Sequence, residues 1–372
     1  MESNLPEHQA VNPEPSKRSF QRTRGCLNLT QTPEELKAAF LALKTPRDIA
    51  RLLNVRYDRL VYHIYKVPLE SRYTTFEIPK KSGGTRTISA PVTALKIIQR
   101  KLNQVLQAVY EPKPSVHGFT PGRNIVSNAK PHVKRRYVLN LDLKDFFPSI
   151  NFGRVRGMFM GIPYHLPEPV ATVLAQICCH NNQLPQGAPT SPVITNMLCA
   201  QMDSRLQRLA QKNKCTYTRY ADDITFSTNM PEFPADLAIE VTTDEGTRIE
   251  IGEPLRQIIE SSGFLINDKK VRLQKRGHHQ EVTGLTTNEF PNVDRRYVRQ
   301  IRAMLHAWRK YGNQNILSVT SKSNHLISYE SFDNFKQVLR GRIEYVGLVK
   351  GKSSQIYKRL LDEFSFLVRM GI

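Results

Sequence analysis

Apolar positions along this chain follow two spacings, and each spacing marks its own kind of element. From Val92 to Tyr110, Leu95, Ile98, Leu102 and Val105 recur at helical intervals and predict one amphipathic helix. A second stripe, Val298, Ile301, Leu305 and Trp308, predicts a helix over 295–310 whose flank carries Arg295, Arg299, Arg302 and Arg309. Thr32-Pro33-Glu34-Glu35 and Thr45-Pro46-Arg47-Asp48 each supply a capping hydroxyl, a proline at the first helical position and an acid that closes a capping box. Two short helices therefore precede the first strand.

Strand patterns lie between these helices. Residues 73–90 predict a hairpin turning at Ser82-Gly83-Gly84, with Lys80, Lys81 and Arg86 around its tip. Val138 to Leu143 is a nearly continuous apolar run, as a buried strand would be, interrupted by Asn140 and Asp142. Cys215 to Ser227 sets runs rich in Thr, Tyr, Ile and Phe on either side of Ala221-Asp222-Asp223, which reads as strand, tight turn, strand. A Pro/Gly loop over 184–192 opens a further helix. Residues 228–252 gather acids (Glu232, Asp236, Glu240, Asp244, Glu245 and Glu250) and predict a solvent-facing insertion with a hairpin. Helices and antiparallel strands in this order give an α+β chain.

Charge narrows the class. The 372 residues hold 54 Lys and Arg against 33 Asp and Glu, a net charge of +21, which points to a polyanionic partner, nucleic acid first. No apolar run reaches a membrane span, so no membrane partner is expected. Residues 1–30 are rich in Pro, Glu and Ser, read as a flexible extension, and lack the apolar core of a secretory signal. Five cysteines, an odd number at irregular spacing, fit reduced thiols in a cytoplasm. Cys178-Cys179-His180 has no second ligand pair at zinc-site spacing.

Adjacent carboxylates at a hairpin tip repel each other, and an acid inside an apolar run is costly unless paired or bound to metal. Asp142, Asp222 and Asp223 together fit a site for two Mg²⁺ ions on hard oxygen ligands. Such an ion pair suits in-line phosphoryl transfer, so the three acids are the candidate catalytic and metal-holding residues of a nucleotidyltransferase.

On these residues the chain resembles the reverse transcriptases, with Asp142 to Phe147 and Tyr220-Ala221-Asp222-Asp223 as their Asp-x-x-x-x-Phe and Tyr-x-Asp-Asp boxes. Asn128-Ala129-Lys130-Pro131-His132 and Val282-Thr283-Gly284 match two boxes that mark the retron enzymes among them. The similarity runs over roughly residues 45–350. It implies a right-hand polymerase: N-terminal helices and fingers over 31–136, an antiparallel-sheet palm over 137–292, and a helical thumb with an RNA-binding region over 293–372. It also implies residue roles. Lys81 and Arg86 would meet the triphosphate of an incoming dNTP, and Gln186-Gly187 the nucleotide. Phe147 would pack beneath its sugar and exclude a 2′-hydroxyl, and Lys270 would protonate the leaving pyrophosphate. Arg123, Asn128, His132, Arg135, Arg295, Arg299 and Arg302 would contact RNA or DNA.

The implied activity is RNA-directed DNA synthesis on the enzyme's own structured noncoding RNA. Priming from an internal 2′-hydroxyl would give branched RNA-linked DNA, in anti-phage defence alongside a separate effector protein. Two readings compete: another bacterial reverse transcriptase, intron-like or diversity-generating, and an RNA-binding scaffold restraining an effector.

Overall fold

The computed structural model describes residues 28–80, 83–243, 246–323 and 331–371. Both predicted capping boxes form. Thr32 opens helix α1 (Pro33–Leu41) and accepts from the Glu35 amide at 3.2 Å, while the Glu35 carboxylate accepts from the Thr32 amide at 2.8 Å. At α2 (Pro46–Leu52), Asp48 accepts from the Thr45 amide at 2.8 Å. After α3 (Tyr57–Val61) come β1 (Tyr73–Pro79) and β2 (Thr85–Pro91), the antiparallel hairpin, then the long amphipathic α4 (Thr93–Val109). Leu95, Ile98, Leu102 and Val105 are buried, as their spacing requires.

A loop and the short α5 (Ile125–Ala129) lead into β3 (Tyr137–Lys144), the central strand of the main sheet. Helices α6 (Phe152–Met160), α7 (Glu168–Cys178) and α8 (Ser191–Lys212) follow, then the hairpin β4 (Thr216–Tyr220) and β5 (Asp223–Thr228). The predicted hairpin of the acidic insertion is β6 (Ala238–Thr243) and β7 (Gly246–Ile251). Next come α9 (Glu253–Ser261), β8 (Leu265–Ile266), β9 (Arg272–Lys275) and the two-residue strands β10 (Glu281–Val282) and β11 (Leu285–Thr286). Helices α10 (Arg295–Ser323), α11 (Phe332–Lys350) and α12 (Gln355–Met370) end the described chain, with α10 broken at Gly312.

β5 pairs antiparallel with one edge of β3, while β9 and β8 share the other. The period of two explains how an acid survives inside β3. Leu139, Leu141 and Leu143 point into the large core formed with α4 and α6–α8, whereas Val138 packs into a second core, that of α10–α12. Asn140 and Asp142 share the parity of Val138 and so avoid the large core. In the second core Trp308 is 1% exposed and meets Phe332, Phe335 and Phe364 edge-on, at 5.4–6.0 Å between ring centres. Among the described residues, no helix is long and apolar enough to cross a membrane.

Candidate active site

The β4–β5 hairpin turns in two residues, Ala221 and Asp222, because Tyr220 pairs directly with Asp223. Ala221 takes φ +58°, the left-handed region that a non-glycine residue rarely visits. The turn is sewn onto β3: Asp142 faces Asp223 in register, and the Leu143 amide donates to the Asp222 carbonyl at 3.1 Å. Lys270 Nζ donates to Asp142 Oδ2 at 2.8 Å, and Asn267 Nδ2 donates to its Oδ1 at 3.3 Å. Withdrawal from bulk water and the negative charge of Asp142 raise the Asp222 pKa. The Asp223 carboxyl is pushed up to about 7, first by the same loss of solvation within the site and then by the charges of Asp222 and Asp142.

A cleft of about 1160 Å³ opens over this floor. Asp142 and Asp222 form its base, Arg86 and Ile88 of the β1–β2 hairpin overhang it, and Gln186, Phe119, Phe147, Asn267 and Lys270 line it. Phe147 is half-buried against Phe146 and Phe119, with ring centres 5.5 and 6.1 Å away, so one of its faces stays on the cleft. Phe146 is 3% exposed and belongs to the core. The Gln186 carbonyl accepts from the Ser89 amide at 2.7 Å, joining the loop before α8 to the hairpin. Gly187, at φ +117°, lies so close that a Cβ would sit 3.0 Å from the Ser89 carbonyl oxygen and the Ile88 methyl. Lys81 lies outside the described residues.

The donor set suits a hard divalent cation, since two crowded carboxyls with raised pKa values lose their mutual repulsion when a cation sits between them. The acids are not yet converged. Asp223 lines a neighbouring pocket of about 240 Å³ with Asn140, Arg272 and Thr283, and Lys270 holds Asp142. Among the described residues no three acidic, imidazole or thiol side chains already form a metal-holding group.

Two expected nucleic-acid contacts, His132 and Asn128, point inward instead, and two more, Arg123 and Arg135, are half-buried. His132 is wholly buried, with Nδ1 2.7 Å from Ser227 Oγ and Nε2 2.8 Å from Thr218 Oγ1. Burial, helped by the charge of Arg135, pushes its pKa down to about 3, so it is neutral. Asn128, also wholly buried, donates to Thr283 Oγ1 at 3.3 Å. Arg123 donates to the carbonyls of Lys113, Pro114 and Val116, and Arg135 to the Pro131 carbonyl and Thr216 Oγ1. His132 and Asn128 offer no free face to RNA, whereas Arg123 and Arg135 tie segments together but stay partly exposed. His132 finds partners for both ring nitrogens far along the chain, and a polar group so satisfied is stable inside. Arg295, Arg299 and Arg302, by contrast, are exposed at the start of α10 and line pockets there, while Arg309 pairs with Glu363 at 3.1 Å.

The sequence reading overlooked Phe119, Asn267 and a buried ion pair between Arg219 and Asp203. A charged residue inside a strand-forming run, Arg219 in CTYTRY, was the available signal for the pair.

Comparison with known proteins follows the same lines. Residues 78–287, over half the chain, match the family model for reverse transcriptase (RNA-dependent DNA polymerase). The retron Mx65 reverse transcriptase of Myxococcus xanthus is 36% identical over 331 residues, covering 83% of this chain and 73% of that protein. The retron Ec86 reverse transcriptase of Escherichia coli is 32% identical over 300 residues, covering 76% of this chain and 88% of its own. Among solved structures, a telomerase from Candida albicans with a telomeric RNA fragment aligns at TM-score 0.40 and 11% identity, over 80% of this chain and 63% of that one. That last likeness is too loose to carry an argument.

Proposed function

Since the chain belongs to the reverse transcriptase family, as an RNA-directed DNA polymerase of the retron type, we propose that it copies its own structured noncoding RNA into single-stranded DNA joined to that RNA through a 2′-hydroxyl branch. One observation carries the retron-specific part of this reading. The two boxes that mark retron enzymes, 155 residues apart in sequence, touch through Asn128 and Thr283 at 3.3 Å. The turn they brace, Thr283-Gly284, lines the pocket next to Asp223, where a priming strand would end.

The roles divide by position. Asp142, Asp222 and Asp223 are the residues that would hold two Mg²⁺ ions. When bound, these ions would supply Lewis acidity to the attacking hydroxyl and the α-phosphate. Arg86, overhanging the cleft, offers its guanidinium to the triphosphate of the dNTP. Gln186 and the close-set backbone at Gly187 shape the nucleotide's seat, and Phe147 occupies the space a 2′-hydroxyl would need. Lys270 holds Asp142 and carries a proton suited to the departing pyrophosphate. The exposed arginines of α10 hold duplex phosphates without reading sequence. On the same reading the protein works in the cytoplasm, in anti-phage defence, beside a separate effector protein.

The test is to extract nucleic acid from the purified protein, digest the free RNA, and treat the remaining DNA with a debranching enzyme. The expected product is DNA that retains a 2′-linked ribonucleotide and changes mobility on debranching. DNA with an ordinary 5′ end, or none, would overturn the branched-product reading.

A further inference from the structure

Arg219 and Asp203 are both 0% exposed and form a two-pronged ion pair: Nε to Oδ1 at 2.7 Å and a terminal nitrogen to Oδ2 at 2.8 Å. Two further guanidinium bonds leave the pair. One goes to Asn196 Oδ1 at 3.2 Å, the other to the carbonyl of Ala221 at 3.0 Å. Asn196 in turn donates to the Gly118 carbonyl at 2.9 Å, and Tyr217 donates to Asp203 Oδ1 at 2.7 Å.

The loop carrying Gly118 lies on the back of the catalytic turn. The Arg219 amide donates to the Ser115 carbonyl, and the His117 amide to the Arg219 carbonyl, each at 2.8 Å. A Cβ on Gly118 would fall 2.3 Å from the Ala221 nitrogen, so only glycine fits. The next residue, Phe119, packs against Phe147 on the cleft wall.

We propose that Arg219, Asp203 and Asn196 are positioning residues that hold Ala221 in its left-handed conformation and so aim Asp222 into the cleft. This rests on the polymerase reading of that cleft. A buried ion pair is poor evidence of stability, because well-packed apolar side chains of similar volume serve as well or better. What apolar side chains cannot do is donate to the Ala221 carbonyl while a second branch of the same network anchors Gly118 against the Ala221 nitrogen. A left-handed alanine persists only where its surroundings over-determine it, and here the network grips both sides of that residue. Asn196, bonded to both Arg219 and Gly118, ties the two grips together.

The experiment compares wild type, Asp203→Asn, Asn196→Ala and Gly118→Ala in two assays. The first is single-dNTP extension of a DNA primer on an RNA template, with rates normalised to active sites by burst amplitude. The second is hydrogen exchange of the metal-free protein across residues 137–144 and 216–228. The variants should lose about tenfold to 10²-fold in kcat, the scale for a misplaced reacting group. KM for the dNTP and primer–template affinity should stay within about twofold, as befits a group acting through the transition state. Exchange should quicken at the Ala221-Asp222 turn and stay unchanged in β3. If Asp203→Asn fails to fold, Asn196→Ala, which removes no charge, decides the matter. Unchanged kcat per active site with only a lower melting temperature would overturn the proposal, as would exchange quickened evenly across the sheet. An inactive wild type would instead overturn the polymerase reading, and the exchange assay would still decide whether the network sets the turn.

Discussion

Arg219 and Arg299 carry the same guanidinium in opposite surroundings. Arg219, under the cleft, is 0% exposed and makes four hydrogen bonds to Asp203, Asn196 and the Ala221 carbonyl. Arg299, at the base of α10, is exposed and has no ion-pair partner among the described residues. The palm fixes Arg219 to its neighbours, whereas the thumb leaves Arg299 open to solvent. Chemistry needs atoms held to within a fraction of an ångström, and a phosphate backbone needs only positive charge within reach.

The largest effect that sharpens this contrast lies at the floor of the cleft. Changing Asp222 and Asp223 together to Ala should reduce DNA synthesis by about 10²–10³-fold or more, the scale of lost transition-state electrostatics. RNA binding and melting temperature should hold, because carboxylates on the cleft floor are removed and no core volume is lost. Full polymerase activity in that double variant would place the chemistry elsewhere.

Next in size is stability. Asp203→Ala strands a buried guanidinium and should cost about 3–5 kcal/mol. Arg299→Ala should change stability by no more than about 0.5 kcal/mol. Urea unfolding of the two variants would break the comparison if their midpoints moved alike.

A smaller effect follows from buried histidine. Folded His132 stays neutral down to about pH 3, while an unfolded histidine takes up a proton near 6.5. The stability from the neutral ring is therefore complete above about pH 6.5 and falls on acidification, by up to about 1.4 kcal/mol per pH unit. Asp223 works the other way. Its raised pKa, about 7, favours the protonated folded form, so the metal-free protein loses that contribution as pH rises through 7. His132→Gln should flatten the acid side of the stability profile, measured without metal. An unaltered slope would mean that His132 titrates as if exposed.

The smallest effect belongs to the thumb. Arg299→Ala and Arg302→Ala should each lower the salt slope of primer–template binding by about 0.7–0.9 for every phosphate the truncated side chain no longer neutralises. Which template is copied should not change. An unchanged slope and affinity would make these arginines ordinary surface charges, worth about 0–1 kcal/mol.

The strand–turn–strand around Asp222, the buried strand of Asp142 and the capped first helices were legible because local pattern specifies them. The thumb stripe was legible for the same reason: Val298, Ile301, Leu305 and Trp308 are all buried. What sequence could not reveal was the direction of polar side chains whose partners lie far away. His132 meets Thr218 and Ser227 across 86 and 95 residues, and Asn128 meets Thr283 across 155. His132, read from its place in the Asn-Ala-x-x-His box, passes for a nucleic-acid contact until the sheet that receives it is known. Arg219 was missed for the converse reason, since its partner Asp203 sits on a helix whose pattern gives no hint of an inward carboxylate.

The shared edge of β3 also sets a schedule for the ribosome. Tyr137 to Asn140 pair with Lys275 to Arg272, and Leu143 and Lys144 with Ile266 and Leu265. The strand that carries Asp142 thus leaves the ribosome about 130 residues before β9 can cover its second edge, a wait of roughly 6–26 s at 5–20 residues per second. During that interval the nascent chain presents the unpaired side of a strand rich in Val and Leu, the kind of edge that recruits other chains. Codon substitutions that slow translation between residues 145 and 272 should therefore lower the yield of soluble protein more than equal delays placed after residue 275.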